Sequence, residues 1–200
     1  MARSSWPRRA LGNRTRLLPF LLLFVWTLTG QAADVVKVST NYYKVFGSKP
    51  REVRRSINQQ RPWKDKDAMD AQTDWSVRCK YLVSDESGVG RVQSFATETV
   101  IVITLPVWHA PPGTPKEYTD RWAKYFTALL RHEYGHASHA LAAAAEVRKQ
   151  AGVIREAPTS DELTRRINDT VTRVLEEFHA KDNLYDKETR HGVTQGATFP

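Results

Sequence analysis

Two histidines four residues apart, His132 and His136, bracket a glutamate, Glu133, in the run Arg131-His132-Glu133-Tyr134-Gly135-His136. On an α-helix, positions four apart lie one turn up and nearly on one face, so both imidazoles can reach a single ion. Glu133 then stands beside the ion and not on it. This is the arrangement that zinc hydrolysis requires: neutral imidazoles to hold the metal and a carboxylate to take a proton from water. One Zn2+ ion is the expected cofactor. Gly135, a residue that costs about 1 kcal/mol inside a helix relative to alanine, points to a close approach by another part of the chain.

A catalytic zinc needs a third protein ligand and an open position, and the His132/His136 helix supplies only two ligands. His139 shares their face, but a straight helix does not bring it to the same ion, so it reads as an outer-shell or merely polar residue. Downstream, His191 is the leading candidate, because Gly192 beside it suits a tightly returning loop. Asp186 is the alternative, and Glu176, Glu177 and His179 also remain open. Glu133 is the expected general base, and Tyr185, or else Tyr134, is a candidate donor to a developing oxyanion.

The elements that must position these residues follow from hydrophobic period. Strands are expected over residues 35–39, 42–46, 74–82 and 91–105, with a short helix over 48–61. The β-branched run Val100-Ile101-Val102-Ile103 suggests a strand buried at least partly on both faces. A turn-rich stretch over 110–115 separates sheet from helix. A long helix covers about 116–152, and Trp122, Phe126, Leu129 and Leu130 lead its buried stripe into the histidines. Thr159-Ser160-Asp161-Glu162 caps a second helix running to about residue 180, and residues 181–200 show no clear period.

Residues 1–32 read as a secretory signal peptide, with five arginines, no acid and the apolar run 17–28 before the small residues Gly30 and Ala32. The chain carries 30 basic and 22 acidic residues; without those five arginines the balance is 25 against 22, a net of +3. The basic character thus belongs largely to the export segment and gives no support to nucleic-acid binding. Residues 33–200 fit one domain, with a β-rich part over 33–110 and a helical part over 111–200 carrying the metal site. No stable membrane insertion is expected once the signal is removed, and the protein is expected in the periplasm or secreted. Cys79 is the only cysteine and alternates with Trp75, Val77 and Tyr81 on one strand face, which reads as a buried structural thiol.

The secretion signal, Leu105-Pro106-Val107-Trp108, the helix running into His132-Glu133-Tyr134-Gly135-His136, and the tail Tyr185-Asp186-Lys187-Glu188-Thr189-Arg190-His191-Gly192 together resemble a bacterial family of domains of unknown function described as predicted secreted zinc-dependent proteases. The resemblance implies an α+β, zincin-like fold. A small, mostly antiparallel sheet would pack on a long active-site helix, followed by a second helix and a tail that closes the metal site. It also implies metallopeptidase activity on a peptide or protein substrate. In such folds the substrate pairs with a sheet edge near the active-site helix, for which residues 94–104 are the candidate. The alternatives are a zinc amidase acting on a cell-wall amide, and a non-catalytic envelope protein whose zinc is structural.

Overall fold

The computed structural model describes residues 33–63 and 69–200, so the expected export segment lies outside the described residues. Strand β1 (Val35–Phe46) leads through helix α1 (Pro50–Gln60) to a long hairpin, β2 (Gln72–Glu86) and β3 (Val89–His109). Helix α2 (Lys116–Gln150), the short strand β4 (Glu156–Ala157), helix α3 (Ser160–Thr189) and a 3-10 turn (Val193–Gln195) complete the chain. The hairpin turns on Ser87 and Gly88, both in the left-handed region (φ 59° and 81°), the conformation that lets a two-residue loop follow the twist of its strands.

β3 is the middle strand, with β1 and β2 on its two sides and β4 on its N-terminal end. The sheet is mixed, which corrects the expectation of a mostly antiparallel one. β2 runs antiparallel to β3, as a hairpin must, but β1 runs parallel to β3 over twelve residues. The connection through α1 and β2 supplies the crossover that a parallel pair requires. Two expected strands, 35–39 and 42–46, are one continuous strand, because Thr40 and Asn41 pair with Ile103 and Thr104. Pro106 lies beyond Thr104, the last β3 residue paired to β2, so its missing N–H removes no bond from that ladder. Central placement also removes residues 98–104 as a free edge for substrate, since both of their sides are paired.

Two apolar clusters hold these layers together. Tyr43, Val45, Val53, Ile57, Ile101, Ile103, Leu105, Tyr125 and Leu129 join β1, α1, β3 and the first half of α2. Ala143, Ala144, Val147, Leu163, Ile167, Val174 and Phe178 join the second half of α2 to α3, with Val77 of β2. Cys79 packs half-buried against this second cluster, and burial, then the Asp34 charge, pushes its thiol up to about 11. His132, Glu133 and His136 occupy α2 between Leu129 and Ala140 of the first cluster, where a wholly apolar stripe would otherwise continue.

α3 begins as expected, with the Thr159 hydroxyl accepting from the Glu162 amide at 3.1 Å. It does not stop near residue 180 but runs to Thr189, where Arg190 closes it in the left-handed conformation. Among the described residues no helix is long and apolar enough to cross a membrane.

Candidate metal centre

Successive turns of α2 present His132 and His136 towards α3, and Asp182 and Asp186, also four apart, answer from the facing helix. His132 Nε2, His136 Nε2 and Asp186 Oδ1 converge: the two nitrogens lie 3.0 and 3.1 Å from the oxygen and 3.3 Å from each other. The second nitrogen of each ring is engaged elsewhere. His132 Nδ1 lies 3.2 Å from Gln195 Oε1, and His136 Nδ1 lies 3.1 Å from Asp182 Oδ1. Both acceptors call for an N–H at Nδ1, which leaves the two Nε2 atoms as bare lone pairs aimed at a carboxylate oxygen.

Three acceptors facing one another are satisfied only by a cation between them or by an added proton. The donor set, two imidazoles and one carboxylate, is one that zinc takes. Bonds of ~2.0–2.1 Å in a tetrahedral site separate ligand atoms by about 3.3 Å, close to the spacings found here. With a proton in its place, burial disfavours the charged ring, but hydrogen bonds to Asp182 and Asp186 and the charges of both outweigh it and push His136 up to about 10. Burial likewise opposes charge on Asp186, yet the His132 and His136 rings hold its carboxyl well below the usual range.

Outer partners fix both imidazoles. Asp182 Oδ1 accepts from His139 at 2.5 Å as well as from His136, and its other oxygen accepts from the Trp75 indole. His139 thus contacts the converging group through Asp182, and ligand atoms of His136, His139 and Asp182 lie within 4.8 Å of one another. The Tyr185 ring stacks on His132, with centroids 4.9 Å apart and planes at 13°. An ideal Cβ on Gly135 would lie 2.5 Å from Tyr185 Cζ, so the close approach that the glycine accommodates is that of the Tyr185 phenol. Gly192 makes a second close approach: at φ 81° its Cα passes near enough that an added Cβ would meet His132 Cβ and Cγ at 3.1 Å.

Glu133 is buried, and its Oε2 accepts from the Thr73 hydroxyl of β2 at 2.7 Å. Burial raises its carboxyl, against the lowering pull of that hydrogen bond and of the two histidines. A cleft of about 210 Å³ opens over Glu133, His132, His136 and Asp186, bordered by residues 69–73 and by His179, Asp182, Asn183 and His191. On its floor the Asp70 carboxylate accepts from Arg54 at 2.8 Å through both oxygens and from Tyr125 at 2.8 Å.

His191, the leading candidate for third ligand, borders this cleft but lies outside the converging group. Its Nδ1 is 3.3 Å from Asp186 Oδ1. The reason is geometric: α3 continues far enough to carry Asp186 itself to the ion position, which places His191 beyond the helix end. The Tyr185 hydroxyl accepts from Gln195 Nε2 at 3.0 Å and faces the His132 backbone oxygen at 3.4 Å. Tyr185 does not border the cleft, and its ring lies against His132; Tyr134 is exposed on the outer face of α2. Glu176 and Glu177 are exposed, Glu177 pairing with Arg173, while His179 stacks on Trp75 at 4.3 Å.

Asp182, Thr73 and Gln195 were missed from sequence. Asp182 had a detectable signal, since it repeats the four-residue spacing of the histidine pair one turn before Asp186. Thr73 and Gln195 are brought in by tertiary folding alone.

No curated protein and no solved structure matches the chain. The profile of the family described as "Bacterial protein of unknown function (DUF922)" matches residues 40–192, from the middle of β1 to Gly192. His132, Glu133, His136, Asp182 and Asp186 all fall within that span, and the chain belongs to this family.

Proposed function

We propose that the protein is an exported zinc-dependent peptidase, with His132, His136 and Asp186 as the ligands of one zinc ion and Glu133 as general base. The observation that carries the reading is the convergence of three lone pairs, two of them on imidazoles whose other nitrogen is held by a further partner. Two imidazoles and a carboxylate would be three protein ligands, one fewer than a closed structural zinc site takes, and a cleft opens over them, which favours catalysis. Bound there, zinc would polarise a scissile carbonyl and make water a competent nucleophile at neutral pH.

The protein's own groups do the rest. Glu133, raised by burial, takes the proton of the attacking water at a carboxylate oxygen and returns it to the leaving amine. Thr73 holds the other side of that carboxylate and limits its rotation. Asp182 and Gln195 keep each imidazole in the tautomer that presents Nε2. β2 borders the cleft through Gln72 and Thr73, with Ala71 just before it, and as the strand on the far side of β3 from β1 it offers an edge for an extended substrate.

The test is zinc-loaded protein against a panel of unstructured proteins and cross-linked cell-wall peptides, beside Glu133→Gln. Cleavage of polypeptide, lost by ~10²- to 10⁴-fold in the variant at unchanged zinc content, is the expected result. Hydrolysis confined to the cell-wall amides would make the protein an amidase. Loss of zinc from Glu133→Gln would remove the role given to that residue.

A further inference from the structure

The cleft over the metal centre does not end at His191. A second cavity of about 310 Å³ lies beside it, and Met69, Asp70, Leu129 and His191 border both. Leu129, Ala197 and Phe199 are buried residues that line it, and Val193, 45% exposed, also borders it. Two charged groups in its wall are already spent: Arg54 and Asp70 pair with each other, and Arg54 Nε also donates to the Phe199 carbonyl at 2.5 Å. Met69, Leu129, Val193, Ala197 and Phe199 make an apolar wall beside the polar Arg190, His191 and Thr198, and the cavity has room for one large side chain.

His191, which borders both cavities, stands in an unusual backbone. Arg190 and His191 are consecutive non-glycine residues in the left-handed region, at φ 52° and 51°, and Gly192 continues it at 81°. Such conformations are sparsely populated, persist only where the surroundings impose them, and cluster at ligand sites. Here the His191 amide donates to the Asp186 carbonyl at 2.9 Å and the Gly192 amide to the Thr189 hydroxyl at 3.3 Å, which pins the turn. His191 Nδ1 is buried, and Asp186 Oδ1 at 3.3 Å is the acid it faces.

We propose that the second cavity is a side-chain subsite of the peptidase, an extension that rests on that reading, and that it selects an apolar residue next to the scissile bond. A chain lying extended across the metal centre advances ~3.3 Å per residue, so the cavity is within reach of a flanking residue. His191 stands between the reacting carbonyl and the selected side chain. Apolar pockets discriminate by about 10- to 200-fold per methylene, which sets the size of the effect.

The experiment uses the zinc-loaded full chain and fluorogenic peptides identical except for Ala, Leu, Phe, Asp or Lys beside the cleaved bond. The expected result is kcat/KM for Leu or Phe roughly 10- to 100-fold above Ala. Val193→Trp, filling the cavity from an exposed position, collapses that ratio about tenfold at unchanged zinc content. Preference for Ala or Asp, or a ratio that Val193→Trp does not move, overturns the assignment. A second arm needs no turnover: N-acetyl-leucinamide is titrated into zinc-loaded Glu133→Gln and followed by methyl NMR at Leu129, Val193 and Ala197, with N-acetyl-alaninamide as control. Shifts there with the leucine compound alone support the cavity even if no peptide is cleaved, in which case the peptidase reading falls by itself. Cleavage with no shifts at these methyls overturns the subsite and leaves the peptidase standing.

Discussion

Asp182 Oδ1 accepts from His136 Nδ1 at 3.1 Å, which ties a metal-facing imidazole on α2 to a carboxylate on α3. Loss of such an outer partner lowers metal affinity without removing a ligand. Asp182→Asn therefore weakens zinc binding by ~10- to 100-fold, measured by competition with a chromophoric chelator. Affinity equal to wild type would leave the carboxylate without the orienting role given to it.

Asp186 and His191 separate on the same assay. Removing Asp186 takes away one of three converging atoms, so Asp186→Ala loses stoichiometric zinc as His136→Ala does. His191→Ala keeps its zinc, because the ring lies beside the group and not in it. The reverse pattern would restore His191 as the ligand.

Gly135→Ala sets two effects of opposite sign against each other. Helix propensity favours alanine by about 1 kcal/mol, while forcing a methyl against the Tyr185 ring costs ~1–3 kcal/mol. Overpacking wins, and the variant is less stable in urea denaturation of the metal-free protein. In a Tyr185→Ala background the clash is gone and the same substitution becomes neutral or stabilising. A penalty that persists there would mean that the ring is not what Gly135 accommodates.

Cys79 reports on the packing of β2. Its thiol is raised from 9.0 to about 11, and only the thiolate is alkylated. A raised pKa keeps the neutral form to higher pH, so at pH 8 the folded protein reacts with iodoacetamide roughly a hundredfold more slowly than the unfolded chain. The rate climbs about tenfold per pH unit until near 11. Equal rates in native buffer and in denaturant would contradict the burial of this thiol.

The sequence exposed α2 and its histidine pair because apolar spacing runs without a break from Trp122 through Leu129 into the metal-facing positions. The same logic concealed the end of α3. Its inward stripe is apolar through Leu163, Ile167, Val174 and Phe178, then turns to Asp182, Asp186 and Thr189, so a search for hydrophobic period stops near residue 180. Polar residues on that stripe were the site itself. Strand direction was illegible for another reason: alternation tells which face a residue occupies and is blind to whether β1 runs with or against β3. Tyr185 is hard to place from sequence because an aromatic hydroxyl in a tail suggests a donor, whereas the fold lays its ring face against His132.

The unbroken course of α3 has a consequence for how this protein can change. Its first half is seated by greasy contacts and its last turns carry the acids, so the distance from Phe178 to Asp186 works as a phase setting. One residue inserted between Phe178 and Asp182 would turn everything after it by about 100° and advance it ~1.5 Å. Leu163, Ile167 and Val174 would stay in place while both aspartates swung away from the histidines. Length in this short segment is therefore quantised, and drift there is stopped by angle before it is stopped by chemistry.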